Sequence, residues 1–275
     1  LTYARAVCLH DRHLLLQSLT VTPDNYEGDI TIQSATNNPR SEIPWSFDLK
    51  GDTALLLGET NRGTTIAMAS HSRLRQEKGL ENVGNGSGEA CAEQWVWRAQ
   101  RGAVARFDRS VVVYSSREVP DPAEAAIGHV RRAAETGLDA HLLRHTQAWE
   151  ERWCASDVEV VGDETAQRAL RFAAYHLNSA VNPQDERVSI GARALTGPTY
   201  KGHVFWDTEI YVLPFYTFTD PAAARSLLQY RFHTLPAARD RARRLGYQGA
   251  LYAWESADTG ADVTPETVRA PDGRV

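Results

Sequence analysis

From residue 9 to about 116 the chain alternates apolar and polar positions over short runs: His13–Thr22, Asp29–Ser34, Thr53–Leu57, Thr64–Ser70, Trp95–Arg98 and Val104–Ser115. A period of two is that of strands with one buried face. Between the runs lie Thr36-Asn37-Asn38-Pro39 and Gly84-Asn85-Gly86-Ser87-Gly88, rich in residues that accept turn conformations. The pattern predicts an antiparallel all-β region, with residues 84–88 as a flexible loop.

At Val119-Pro120-Asp121-Pro122 the period lengthens. Asp121 is placed to cap a helix and Pro122 to occupy its first position, with Gly137 as the stop after Thr136. A second helix sets Leu138, Leu142, Trp149 and Trp153 along one face, and Asp163 caps a third with Leu170, Ala174, Leu177 and Val181 in one stripe. Asp207–Phe218 reads as a helix interrupted by Pro214. Asp220-Pro221 repeats the cap-plus-proline start of a helical run to Leu245, with Pro236 as a kink position. The fold class is mixed, β first and then α, with a boundary near residue 118.

With 275 residues, 42% hydrophobic, and 7 Trp, 10 Tyr and 7 Phe, the chain can build a substantial core. Its apolar runs, such as Leu14–Leu16 and Val111–Tyr114, fall far short of the ~20 residues that span a bilayer. Thirty basic and 35 acidic residues leave a net charge of −5, which supplies no field for nucleic acid or an anionic membrane. A small neutral or anionic substrate fits better. Cys8, Cys91 and Cys154 form neither a C-x-x-C clip nor a complete disulfide framework, so a reducing, cytoplasmic setting is expected. A start at Leu1, with no signal-peptide pattern, predicts a segment of a longer protein.

Some candidate chemistry fails on its own terms. The stretch 84–88 lacks the Gly-Lys-Ser/Thr of a phosphate loop. His141 and His145 have the i, i+4 spacing of helical zinc ligands, but Leu142 stands where a zinc protease carries its glutamate, so surface histidines and no metal are expected. Arg239, Arg241, Arg243 and Arg244 suit a solvated helix end. Two dipeptides are different: Trp206-Asp207 and Trp254-Glu255. An indole stacks on the C–H face of a pyranose while a carboxylate accepts hydrogen bonds from its hydroxyls. The competing reading makes both indoles core residues and both acids helix caps.

The run Lys201-Gly-His-Val-Phe-Trp-Asp-Thr-Glu-Ile-Tyr-Val-Leu-Pro-Phe215, followed by Ala224-Arg-Ser-Leu-Leu-Gln-Tyr-Arg231 and Thr234-Leu-Pro-Ala-Ala-Arg239, resembles glycoside hydrolase family 65. Trp149-Glu-Glu-Arg-Trp153 and Gly162–Phe172 are similar to the entry into that family's catalytic domain. The resemblance implies an inverting disaccharide phosphorylase, with an acid-trehalase-like hydrolase as the near alternative and a noncatalytic carbohydrate-binding module as the distant one. It implies residues 1–117 as the later part of an N-terminal β-sandwich, 118–156 as a helical linker and 157–275 as the start of an (α/α)6 barrel. Carried over by motif, Trp206, Asp207, Trp254, Glu255, Thr234, His203 and Phe205 would bind the donor glucose. The run Ala253–Gly260 is more similar to trehalose- and kojibiose-type members than to maltose phosphorylases.

In such an enzyme one carboxylic acid protonates the glycosidic oxygen while inorganic phosphate, a co-substrate rather than a cofactor, attacks the anomeric carbon. The resemblance places the general-acid glutamate and the phosphate loop beyond Val275. No catalytic residue is therefore expected in this chain, and the chain alone is expected to be inactive. Partners are a disaccharide and phosphate, and the full-length protein is expected to be a homodimer.

Overall fold

The computed structural model describes residues 1–37, 43–76, 81–87, 90–197 and 199–265. They fall into two compact units, Leu1–Trp149 and Glu150–Val275. The first unit carries strands β1 (Thr2–Val7), β2 (Leu14–Val21), β3 (Gly28–Asn37), β4 (Trp45–Lys50), β5 (Thr53–Glu59), β6 (Thr65–Gln76), β7 (Glu81–Ser87), β8 (Ala90–Ala99) and β9 (Ala105–Ser115). All pair antiparallel, in a six-stranded sheet ordered β1-β2-β9-β6-β5-β4 and a three-stranded sheet ordered β3-β8-β7.

Alternation along the strands divides the large sheet into two faces. Leu14 and Leu16 of β2, Ala67 and Ala69 of β6 and Val112 of β9 join one core with Ala126, Ile127, Val130 and Ala133. Those four belong to helix α1 (Pro122–Thr136), capped by Asp121 through the Glu124 amide and closed at Gly137, whose φ of 85° suits glycine. Their spacing is one helical stripe, and full burial of Ile127 and Val130 contributes about 1.5–3 kcal/mol each. On the opposite face Val21, Leu74, Ala105 and Phe107 meet Trp95, Trp97 and Ala99 of the small sheet. Helix α1 is thus part of the first unit's core.

Three strands of the first unit were not expected. β1 and β4 sit at the two edges of the large sheet and are mostly exposed; burial imposes no alternating pattern on β1, whereas β4 does alternate apolar and polar residues over Trp45–Lys50. β7 corrects the reading of residues 84–88 as a loop: Gly84–Ser87 pair with Glu93–Ala90, while Gly88 lies outside the described residues. β7 is an edge strand, and backbone pairing there tolerates the glycines that would weaken a central strand.

Helix α2 (Leu138–Ser156) corrects the expectation of surface histidines. His141 is only 5% exposed. Its Nδ1 lies 3.2 Å from His10 Nε2, and His145 Nδ1 accepts the Leu9 amide at 3.1 Å. Burial lowers the pKa of all three imidazoles.

The second unit contains α3 (Glu164–Ala180), α4 (Leu213–Thr219) and α5 (Pro221–Arg244), with the two-residue strands β10 (Val204–Phe205) and β11 (Glu255–Ser256). Asp163 caps α3, Pro214 lies in the first turn of α4, and Pro236 sits inside α5. Ile190, Tyr216, Ala223, Ala224 and Leu227 form its core, against which Leu177, Ala180 and Val181 from the end of α3 pack. At the start of the predicted α3 stripe, Leu170 remains 45% exposed. No helix among the described residues is long and apolar enough to cross a membrane.

Candidate functional site

The ladder of β10 and β11 pairs Val204 with Ser256 and Phe205 with Glu255. Antiparallel register then brings the residue after Phe205 beside the residue before Glu255, which are Trp206 and Trp254. Their rings meet edge to face at 5.3 Å and 87°. Phe205 backs Trp254 at 5.6 Å and Tyr200 backs Phe205 at 5.3 Å. The two indoles are 39% and 44% exposed while Phe205 is 7%. An aromatic surface supported from below and open above is a stacking platform, and it decides against the reading of both indoles as core.

The two carboxylates differ. Asp207 precedes a π-helical turn, Thr208–Val212, yet makes no capping hydrogen bond, and its carboxylate has no hydrogen-bond partner among the described residues. π-helical turns recur at functional sites. Glu255 is 7% exposed, and its Oε1 lies 2.6 Å from His203 Nδ1. With a carboxylate on that nitrogen, Nδ1 carries the proton and donates it to the hydrogen bond. One acid is free for a ligand and the other is held at a set angle by an imidazole.

The backbone before His203 is unusual. Tyr200, Lys201 and Gly202 have φ of 64°, 52° and 77°. The first two are not glycines, and this conformation costs about 1–2 kcal/mol for each such residue. A Cβ on Gly191 would lie 2.9 Å from the Gly202 carbonyl oxygen, so the strained loop is pressed against a neighbour that admits no side chain. Strain of this kind persists where surrounding contacts over-determine it.

Of the seven residues expected in the site, the structure brings Trp206, Asp207, Trp254, Glu255, His203 and Phe205 to the two ends of this short ladder. Thr234 is placed otherwise. It is 4% exposed on α5, its hydroxyl donates to the Tyr230 carbonyl at 2.8 Å, and it packs under Gly260.

The sequence reading missed a second layer. Arg231 forms a bidentate pair with Glu209, Nε to Oε1 at 2.9 Å and Nη2 to Oε2 at 2.8 Å. Tyr230 donates to the Ala257 carbonyl at 2.6 Å and lies 3.1 Å from Ser256 Oγ; burial raises its pKa. The signal was present, since both residues close the run Ala224–Arg231, but a helix-borne arginine reads as solvated until its neighbours are known. Among the described residues no group of three or more His, Cys, Asp or Glu could hold a metal ion.

The sequence model of the glycosyl hydrolase family 65 N-terminal domain matches residues 1–152, and that of the family 65 central catalytic domain matches residues 171–272. The chain belongs to glycosyl hydrolase family 65. As a family 65 chain it is 36% identical to the kojibiose phosphorylase of Thermoanaerobacter brockii over 95% of its own length and 37% of that relative's. It is 48% identical to the kojibiose phosphorylase of Escherichia coli K12 over 52% of its length. The chain thus spans little more than a third of the longer-matching curated relatives. A solved human-microbiome structure designated a kojibiose phosphorylase superposes with a TM-score of 0.82 over 94% of this chain and 35% of its own, at 20% identity, which speaks to the fold.

Proposed function

We propose that this family 65 chain carries the donor-glucose half of the active site of an inverting α-glucoside phosphorylase of the kojibiose or trehalose type. The carrying observation is the β10–β11 ladder, which sets two half-exposed indoles edge to face with a partnerless Asp207 and a His203-held Glu255 at its ends. In this reading Trp206 and Trp254 cover one face of the glucose. Asp207 and Glu255 accept its hydroxyls and offset positive charge as the anomeric centre becomes oxocarbenium-like. His203 orients Glu255 and Phe205 supports Trp254. Thr234 acts from beneath by packing the Gly260 turn.

Phosphate is already an anion and needs no strong base, so one acid outside these residues suffices for phosphorolysis, with inversion giving β-glucose 1-phosphate. In domain terms, residues 1–117 are the later part of the sandwich, 118–156 the linker and 157–275 the opening helices of the barrel. The two family matches, to residues 1–152 and 171–272, support that order. Similarity to kojibiose phosphorylases, alongside 30% identity to the α,α-trehalose phosphorylase of Thermoanaerobacter brockii, puts kojibiose ahead of trehalose.

A hydrolase is the second reading, favoured by 42% identity over 151 residues to the kojibiose hydrolase of Flavobacterium johnsoniae. The test assays the full-length protein containing this chain on kojibiose, trehalose and nigerose, with and without phosphate, reading glucose 1-phosphate and glucose separately. Glucose 1-phosphate formed only with phosphate is the expected result. Glucose released without phosphate makes it a hydrolase, and activity on none of the three overturns the substrate class.

A further inference from the structure

Both Trp–carboxylate pairs hang from very little secondary structure, a ladder of two residues on each side. Such a ladder is not stable alone, yet the rings of Trp206 and Trp254 are held 5.3 Å apart while more than a third exposed. Something beneath must set their geometry.

That group is the Arg231 guanidinium, 9% exposed on α5. Beyond its fork onto Glu209, Nη2 donates to the Phe205 carbonyl at 3.2 Å and Nη1 to Ser256 Oγ at 3.4 Å. Its carbon lies 5.3 Å from the Tyr230 ring and 5.6 Å from the Tyr252 ring, and Tyr252 donates its hydroxyl to the Arg231 carbonyl at 2.8 Å. These partners bracket the site in sequence. Phe205 and Glu209 flank Trp206-Asp207, while Tyr252 and Ser256 flank Trp254-Glu255. One side chain thus grips each pair on both sides.

We infer that Arg231, with Glu209, is a positioning residue that fixes the mutual geometry of the two indoles and their carboxylates. A partly buried ion pair such as Arg231–Glu209 is a weak source of net stability, because the desolvation cost consumes much of the attraction. A planar five-donor fork that meets a carboxylate, a carbonyl and a hydroxyl together is, however, a strong source of orientation. Lysine carries the charge without the fork. Its value to sugar binding rests on the function proposed above; its effect on the indoles does not.

The test uses the 275-residue chain and variants R231K, R231M and E209Q, with L227A as a control that weakens the same unit's core. Edge-to-face indoles couple their transitions, so the first readout is the exciton couplet in circular dichroism, assigned to this pair by its loss in W206F. The second is the unfolding midpoint, and the third is titration with glucose and kojibiose.

Well below its midpoint, R231K is expected to lose more than half of the couplet while keeping its helical signal, and L227A to unfold earlier with the couplet intact. Sugar affinity in R231K is expected to fall about tenfold or more, the scale of lost supporting contacts. If R231M does not fold, R231K and E209Q carry the comparison. A wild-type couplet in R231K, or no couplet in the unsubstituted protein, overturns the inference. Loss of the couplet in R231K alongside failure of even the unsubstituted protein to bind sugar upholds the positioning role and overturns the donor-site reading instead.

Discussion

Trp206 and Trp254 look interchangeable as letters, each followed by an acid, but the acids are prepared differently. Asp207 has no protein partner among the described residues, whereas Glu255 accepts a hydrogen bond from His203 Nδ1 at 2.6 Å. A hydrogen bond to a charged group is worth about 1.5–3 kcal/mol, so Asp207→Ala is expected to weaken glucose binding roughly ten- to a hundredfold at unchanged thermal stability. Trp254→Ala is expected to weaken it as well, by removing the stacking face. Calorimetric titration of both variants checks this, and binding undiminished in both would favour a sugar site on the β-rich unit. At Gly260, φ is +73° and a Cβ would stand 2.3 Å from Thr234 Cβ. Gly260→Ala is therefore expected to destabilise the second unit by about 1–3 kcal/mol, measured by urea unfolding.

Elements were legible where their ends are chemically marked and one face is buried. Helix α1 starts at Pro122 behind Asp121 and ends at Gly137, as its sequence predicts. Asp121→Ala is expected to cost about 1 kcal/mol, seen as a lowered unfolding midpoint. Edge strand β1 carried no such mark, because exposure leaves hydrophobic periodicity nothing to record, whereas β4 alternates apolar and polar residues over Trp45–Lys50 and its signal was there to be read. Helix α2 hid its histidines because the His10-bearing turn that covers His141 is contributed from the far end of the unit.

That burial has a consequence in pH. His10, His141 and His145 have folded pKa values below 6.5, chiefly through desolvation, with Arg144 adding to the lowering at the first two and Asp11 opposing it. The unfolded chain therefore binds more protons as pH drops through 6.5, and stability rises with pH across that window. Unfolding midpoints are expected to fall as pH is lowered from neutral into the window below 6.5, with a shallower slope in His141→Phe; a midpoint independent of pH there would contradict the burial of these rings.

At the scale of the whole molecule, the chain covers 37% of the length of relatives such as the Thermoanaerobacter brockii enzyme. Its two units correspond in order to the N-terminal and central catalytic domain models of family 65. In the proposed reading Asp207 and Glu255 bind the donor glucose and do not supply the leaving-group proton. The 275-residue chain by itself is thus expected to release neither glucose 1-phosphate nor glucose from kojibiose, whether or not phosphate is present. Measurable turnover by this chain would mean that a carboxylic acid within it supplies the proton, which would overturn that reading.

The order of strands before helices, the caps of α1, α3 and α5, the stops of α1 and α5, and the two Trp–acid dipeptides were determined by sequence alone. Each depends on chemistry within a few neighbouring residues: alternation, a side chain reaching the next amide, a ring beside a carboxylate. The tertiary structure decided which of these meet. A two-residue ladder joins Trp206 to Trp254, an imidazole claims Glu255 while Asp207 stays open, and Arg231 turns inward to hold both ends. Those outcomes rest on hydrogen bonds between residues far apart in the chain, and no local period records a partner that the chain reaches only by folding.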